Sequence, residues 1–206
     1  NIFIAEDDIA TVAKNGCPIL QKHLTVQAEG FNPTQYLPEV ATFEIYLDMP
    51  QDNLITGELC AIHSHGKYDV FLPSENAGNR DISFEKNMDH FFSPWFSAYD
   101  PANSRMVLTD DDDKVYRFVK FGILEMQAKA DVFISESLKK LKIHSHPRVS
   151  IGVSVNHDLL QLNLVSDQIN LKQLNEILSK YDPKKKYYRL KSGEFVDIDE
   201  KIQALA

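Results

Sequence analysis

The chain of 206 residues is long enough to bury a core, as one domain or as two small ones. Its hydrophobic fraction of 43% and charged fraction of 25% are ordinary for a folded protein, which excludes wholesale disorder. A formal net charge of −8 argues against a protein that coats nucleic acid with its whole surface.

The sequence also bounds the cellular compartment. No apolar run approaches the length that spans a bilayer, and the chain opens without a signal-peptide pattern. Cys17 and Cys60 lie far apart and form no CxxC pair, which favours free thiols over a disulfide scaffold. We therefore expect a cytoplasmic protein with no membrane partner. Because the chain begins with Asn1 rather than Met, we also expect a segment of a longer protein.

Charge is distributed unevenly along the chain. Residues 1–131 contain 10 basic and 21 acidic side chains, whereas residues 132–206 contain 12 basic and 9 acidic ones. Such asymmetry indicates two faces with different neighbours. We predict two subdomains within 1–206, an acidic α+β part at 1–131 and a basic ββαββ part at 132–206.

The first predicted elements are a short helix and a three-stranded meander. Within residues 5–23, Ile9 and Val12 have helical spacing until Gly16 and Pro18 interrupt the pattern, which predicts a helix of about two turns. The proline-containing stretch 30–40 predicts a loop. Apolar and polar residues then alternate over 42–48, and the runs 54–65 and 68–72 follow after turns, which predicts three antiparallel strands.

The middle of the chain predicts two helices with a short strand between them. Residues 80–100 begin an amphipathic helix that Pro94 breaks, and residues 104–130 contain a strand, an acidic cap and a second helix. Asp110 to Asp113 place negative charge where a helix N-terminus favours it. An Asp-rich run also suggests calcium, but this one lacks the ligand spacing and the glycine of an EF-hand loop.

The last third predicts two hairpins joined by a helix. Residues 148–155 alternate in polarity and residues 159–165 return after a turn, whereas residues 184–199 form a second hairpin that turns at Gly193. Residues 166–181 predict a capped amphipathic helix. Its predicted buried stripe consists of Leu171, Leu174, Ile177 and Leu178. This ββαββ order, without repeated βαβ crossovers, predicts an α+β fold of antiparallel hairpins and meanders packed with a few helices.

A near match to a zinc signature lies at 144–158. JAMM-type zinc hydrolases use HxHP, six residues, Ser, two residues and Asp; His144, His146 and Ser154 are in register, but Asp158 comes one position late. The zinc family begins a helix where this chain predicts a strand, and a shift of one residue in a strand reverses the side-chain direction. We therefore predict no catalytic residue and no metal, with His144 and His146 as the fallback ligands.

Other chemical signatures are weaker. A second HxH pair, His63 and His65, ends a predicted strand, and no carboxylate or thiol has supporting spacing. The pair is therefore interpreted as a polar strand end. The chain contains no GxGxxG, no phosphate loop and no GxSxG elbow.

The C-terminal hairpin carries the strongest binding signal. Residues 184–191 hold five cations and two tyrosines, a combination that suits phosphate backbones and unpaired bases. The candidate nucleic-acid-binding residues are Lys139, Lys140, Arg148, Lys184, Lys185, Lys186, Tyr187, Arg189 and Lys191. The alternative is a solvated hairpin in which Tyr188 and Leu190 pack inward.

The ordered set of motifs resembles the bacterial Swi/Snf-type helicase-associated domain. The hallmarks of that domain are a VSVGVS strand pair, a helix and a YYRLKDGSFLDL hairpin, which correspond here to residues 149–155 and 187–198. The segments FEIYLD at 43–48 and VYRFVKFGILEMQAKADVFISESLKKLKI at 115–143 fit the middle of the same family. The resemblance runs from Ile4 to the end, and none of its motifs is catalytic.

The resemblance implies a non-catalytic accessory region upstream of a Swi/Snf-like ATPase core. It implies that ATP and Mg²⁺ bind to that core and that this chain holds no cofactor. The implied partners are the ATPase core of the same polypeptide and DNA or RNA, in the bacterial cytoplasm or at the nucleoid. Two alternatives stay open, a JAMM-like zinc metallohydrolase and a protein-interaction scaffold without nucleic-acid contact.

Overall fold

The computed structural model describes residues 3–5, 8–25, 38–72, 80–109, 111–145, 149–156, 159–166, 168–182 and 184–198. Helices and strands are mixed in these residues, which confirms the predicted α+β class. The chain forms two compact units, unit 1 (Asn1–Glu44 and Leu59–Ser93) and unit 2 (Ile45–Glu58 and Pro94–Ala206). The division after Asp131, which was drawn from charge, stays a prediction.

The N-terminal helical segment is longer than predicted. It consists of α1 (Ile9–Thr11), a π-helical stretch (Val12–Gly16) and α2 (Cys17–Gln21). The predicted interruption is wrong, because Pro18 falls in the first turn of α2, where a missing N–H group is tolerated. Most of the predicted loop at 30–40 lies outside the described residues.

The predicted meander is confirmed within a larger sheet. Its strands are β1 (Thr42–Gln51), β2 (Leu54–His63) and β3 (Gly66–Asp69). The sheet also contains β4 (Ala98–Asp100), β5 (Arg105–Thr109) and β6 (Asp131–Ile134). The order is β4-β5-β2-β1-β6, with β3 antiparallel to β2. The alternation in β1 places Phe43, Ile45 and Leu47 in the core, as a half-buried strand requires.

Aspartates begin the two helical segments in the middle of the chain. Helix α3 (Ile82–Phe92) is capped by Asp81, whose carboxylate accepts the N–H of Phe84 at 3.0 Å. The second segment runs through α4 (Asp112–Arg117), a π-helical stretch (Phe118–Gly122) and α5 (Ile123–Gln127). Asp111 caps it by accepting the N–H of Lys114 at 2.9 Å. The acidic helix start is thus confirmed, although Asp110 lies outside the described residues.

The C-terminal ββαββ order is confirmed, but its two hairpins belong to different sheets. The remaining elements are α6 (Glu136–Lys139), β7 (Ile143–His144), β8 (Val149–Asn156), β9 (Leu159–Ser166), α7 (Leu171–Ser179), β10 (Tyr187–Arg189) and β11 (Phe195–Asp197). Strands β8 and β9 pair only with each other among the described residues, whereas β11 pairs with β10 and, in parallel, with β7. The side chains of the apolar alternation in β8 lie outside the described residues.

Helix α7 packs on the second hairpin. Asn170 and Gln173 form a reciprocal capping box, with N–H to side-chain oxygen distances of 2.9 and 2.8 Å. A small core unites Ile169, Leu174, Ile177, Tyr188, Leu190 and Val196. Leu171 was wrongly assigned to the buried stripe, because it is the first residue of the helix and is 54% exposed.

None of the helices in the described residues combines the length and the hydropathy of a membrane-spanning segment.

Candidate nucleic-acid interface

A groove of 1010 Å³ in unit 2 collects most of the predicted binding residues. Helix α4, the π-helical stretch after it, residues 180 and 184–189 and the end of β11 line this groove. Its cations are Arg117, Lys120, Lys180, Lys184, Lys185, Lys186 and Arg189. Its carboxylates are Asp112, Asp113 and Asp197. The groove therefore has seven positive groups and three negative ones, although the chain as a whole is acidic. We call it the basic groove.

The lysine run of the groove is exposed to solvent; it consists of Lys184, Lys185 and Lys186. All three are exposed, and within the described residues none of their ammonium groups has an ion-pair partner. A turn fixes their backbone, because the Asp182 carboxylate accepts the N–H of Lys184 at 2.9 Å and the Asp182 carbonyl accepts the N–H of Lys185 at 3.0 Å. The lysine run therefore presents unpaired cations from an ordered turn.

Tyr187 is engaged inside unit 2. Its ring stacks on Tyr116, with centroids 4.1 Å apart and planes at 10°, and its hydroxyl donates to the Asp113 carboxylate. Burial, the hydrogen bond to Asp113 and the neighbouring aspartates together raise the pKa of Tyr187 far above its usual range. The hydroxyl therefore stays protonated, and one face of the ring is covered.

Arg189 is likewise held by partners within unit 2. Its guanidinium donates to the carboxylate of Asp112 and to the side-chain oxygen of Asn53, and its Nε donates to the carbonyl of Gly193 at 3.3 Å. The same group lies 5.2 Å from the ring centroid of Phe195. These contacts use three of the five N–H donors with which a guanidinium can bind a phosphate.

A buried polar network forms the floor of the groove. Asp197 accepts the hydroxyl of Tyr116 at 2.5 Å and the ammonium of Lys120 at 2.8 Å. Burial opposes the charge of Lys120, but the hydrogen bonds to Asp197 and Tyr116 outweigh it, so the pKa of Lys120 is raised. Burial and Asp197 also raise the pKa of Tyr116. Lys120 thus keeps its charge while facing the groove.

Sequence reasoning missed four residues that line the basic groove, Arg117, Lys120, Phe121 and Lys180. Arg117 and Phe121 are four residues apart on one helical face, a spacing that the sequence displays. The sequence does not show that this face meets the C-terminal hairpin, because about 70 residues separate them and no periodicity spans that distance.

The other candidates are divided between different surfaces. Lys140 and Lys191 are exposed and line a second cavity of 640 Å³ with Arg189. Lys139 pairs with Glu136 at 2.6 Å. Arg148 lies outside the described residues. The inward packing of the alternative interpretation is confirmed for Tyr188 and Leu190, which are 7% and 4% exposed, yet the lysines beside them remain open.

Comparison with known families decides the relationship. The profile of a family described as bacterial SNF2 helicase associated matches residues 1–206. The chain belongs to this family. No curated protein and no solved structure matched the chain. Membership in the SNF2 helicase associated family supports an accessory role and agrees with the motifs at 149–155 and 187–198.

The HxHP segment of this SNF2 helicase associated chain begins at the end of a strand. His144 lies in β7, with its Nε2 3.5 Å from a carboxylate oxygen of Glu194, and His146 lies outside the described residues. The segment that would begin a helix in a JAMM hydrolase is strand β8 (Val149–Asn156), as predicted. Among the described residues, no group of three or more His, Cys, Asp or Glu side chains could hold a metal ion.

The first HxH pair belongs to a polar cluster in unit 1. His63 is fully buried, and its Nε2 lies 2.9 Å from a carboxylate oxygen of Glu85. Arg80 donates to both oxygens of Glu85, from Nε at 2.9 Å and from Nη2 at 2.5 Å. The interpretation as a polar strand end therefore missed a carboxylate partner, because Glu85 reaches His63 from helix α3 and not through sequence spacing.

Proposed function

We propose that this chain is the nucleic-acid-contacting accessory module of a bacterial SNF2-type ATPase, without catalytic activity of its own. The supporting observation is the basic groove, in which Arg117, Lys184, Lys185 and Lys186 are exposed and have no ion-pair partner in the described residues. Phosphate groups are the complementary ligand, because each neutralising contact releases counterions from the nucleic acid. The contact would be local, since the rest of the chain is acidic.

In this proposal, the catalytic and cofactor functions belong to the ATPase core of the same polypeptide. That core would bind ATP and Mg²⁺. This chain would position the nucleic acid and would not take part in ATP hydrolysis. The acidic part at 1–131, apart from the groove-lining residues of helix α4 and the stretch after it, would contact the ATPase core. The basic groove would contact DNA or RNA, in the bacterial cytoplasm. Surfaces of opposite charge favour different partners, so nucleic acid would compete less for the protein contact.

A charge-matched pair of variants tests the proposal. K184A/K185A/K186A removes three cations from the basic groove, whereas K22A/K86A/K172A removes three exposed lysines from elsewhere. We expect the groove variant to weaken binding of a labelled oligonucleotide at least tenfold at low salt, about 1.4 kcal/mol, and the control to retain most of it. Equal binding by both variants would exclude the groove and leave the protein-interaction scaffold.

A further inference from the structure

The aromatic residues of the basic groove differ in how open they are. The tyrosines that the sequence offers for stacking are used internally, since Tyr187 is covered by Tyr116 and Tyr188 is 7% exposed within the α7 core. Phe121 is 48% exposed and also lines the groove. A phenylalanine that is half open to solvent has no hydrogen-bonding reason to be at the surface.

Cations flank Phe121. Arg117, one helical turn earlier, is exposed, and the ammonium of Lys120 lies 5.7 Å from the Phe121 ring centroid. The lysine run at 184–186 lines the same groove. An open ring beside cations is the combination that binds unpaired bases, because the ring stacks on a base while the cations neutralise the flanking phosphates.

Resting on the proposed function, we infer that the basic groove takes single-stranded nucleic acid and that Phe121 stacks on an unpaired base. A duplex offers its phosphates to the lysines but keeps its bases paired and stacked, so Phe121 would gain nothing from it. A single strand satisfies both the cations and the ring. Arg117, Lys184, Lys185 and Lys186 would contact the phosphates, and Lys120 would hold its place beside the ring through Asp197.

An abasic strand separates stacking from phosphate contact. The probes are an oligothymidylate of about 12 nucleotides and an abasic strand of equal length, which has the same phosphates and no bases. We expect wild type to bind the thymidylate at least about fivefold more tightly, and F121A to lose this preference while still binding the abasic strand. F121W should restore the preference, and L124A, which removes a 64% exposed side chain from the same helical segment, should leave it unchanged.

The outcomes distinguish this inference from the proposed function. If F121A keeps the preference for thymidylate, or if wild type binds both strands equally, the stacking role of Phe121 is wrong while phosphate binding by the groove stands. If wild type binds neither strand, the proposed function itself fails.

Discussion

The buried polar cluster of unit 1 and the lysine run of unit 2 differ in whether their charged side chains have partners within the protein. In unit 1, Arg80, Glu85 and His63 are each no more than 6% exposed and bind one another. In unit 2, Lys184 and its two neighbours are exposed and unpaired in the described residues, beside a groove. A buried charge must be satisfied within the protein, whereas an exposed unpaired cation costs little and stays available for a ligand.

The difference assigns different roles to residues that look alike in the sequence. Arg80 and Arg189 both form multiple hydrogen bonds within their own units, so both hold the fold. The lysine run ends three positions before Arg189 in the chain and has no ion-pair partner within the described residues. Charge alone therefore does not distinguish a cation that holds the fold from one that is open to solvent, whereas the presence or absence of an internal partner does.

The largest expected effect comes from breaking the buried cluster of unit 1. E85Q leaves the Arg80 guanidinium buried without its carboxylate, which should lower the free energy of unfolding by about 3–5 kcal/mol. Urea denaturation measures this change. E58Q, which alters an exposed glutamate, should stay within about 0.5 kcal/mol of wild type. Similar losses in both variants would show that the cluster is not a stabilising unit.

Acid should weaken the same cluster. Burial opposes the charge of Glu85, but the hydrogen bonds and charges of Arg80 and His63 outweigh it, so the pKa of Glu85 lies below 4.5. A carboxylate whose pKa is lower in the folded state than in the unfolded state stabilises the fold at pH values above its unfolded pKa. This stabilisation is lost as the pH falls through the folded pKa. Between pH 5 and pH 2, the free energy of unfolding of wild type should therefore fall more steeply than that of E85Q, by up to about 1.4 kcal/mol per pH unit. Parallel pH profiles of the two proteins would contradict this assignment.

Apolar packing stabilises unit 2, and a substitution at Gly122 tests this contribution. A Cβ atom at Gly122 would lie 2.9 Å from Cε3 of Trp95. Overpacking lowers the free energy of unfolding by about 1–3 kcal/mol, whereas the better helix propensity of Ala raises it by up to about 1 kcal/mol. We therefore expect G122A to lower the free energy of unfolding by about 1 kcal/mol. Thermal unfolding checks this value.

Gly16 provides the matched control, because it also ends a π-helical stretch and a Cβ there would meet only Cγ1 of Val12 at 3.4 Å. G16A should be neutral or stabilising. Equal effects of G16A and G122A would show that contact with Trp95 does not govern the glycine at 122.

The smallest expected effect comes from releasing a cation that is paired within unit 2. D112N removes the carboxylate that pairs with Arg189 and raises the charge of the groove by one. Because Asp112 is 55% exposed, stability should change by at most about 1 kcal/mol, and oligonucleotide binding should tighten up to about fivefold. D131N makes the same change of charge at an exposed residue outside the groove lining. Equal tightening in both variants would indicate a net-charge effect rather than release of Arg189.

Local patterns predicted local structure. The alternation in β1, the amphipathic pattern of α7 and the turn at Gly193, which has a φ of 90°, are each contained in a few neighbouring residues, and the structure has the elements that they indicate. Long-range pairings were not predictable. The parallel pairing of Ile143 with Phe195 joins segments about 50 residues apart that share no pattern.

The candidate site was predicted in part for the same reason. The run at 184–186 is visible as composition, and the structure leaves it open. The partners of Tyr187 and Arg189 lie on α4 and in the turn after β1. No local pattern around residues 187–189 indicates that these two side chains are held inside unit 2. Phe121 looked like one more apolar residue of an amphipathic helix.

The salt dependence of binding tests the central claim, that the basic groove binds phosphates through unpaired cations. With four such cations, the logarithm of the association constant for a single strand should fall against the logarithm of salt concentration with a slope of about −3. K184A/K185A/K186A, which leaves Arg117, should reduce the slope to about −1, and K22A/K86A/K172A should keep the wild-type slope. A wild-type slope near zero, or an unchanged slope in the groove variant, would contradict the claim.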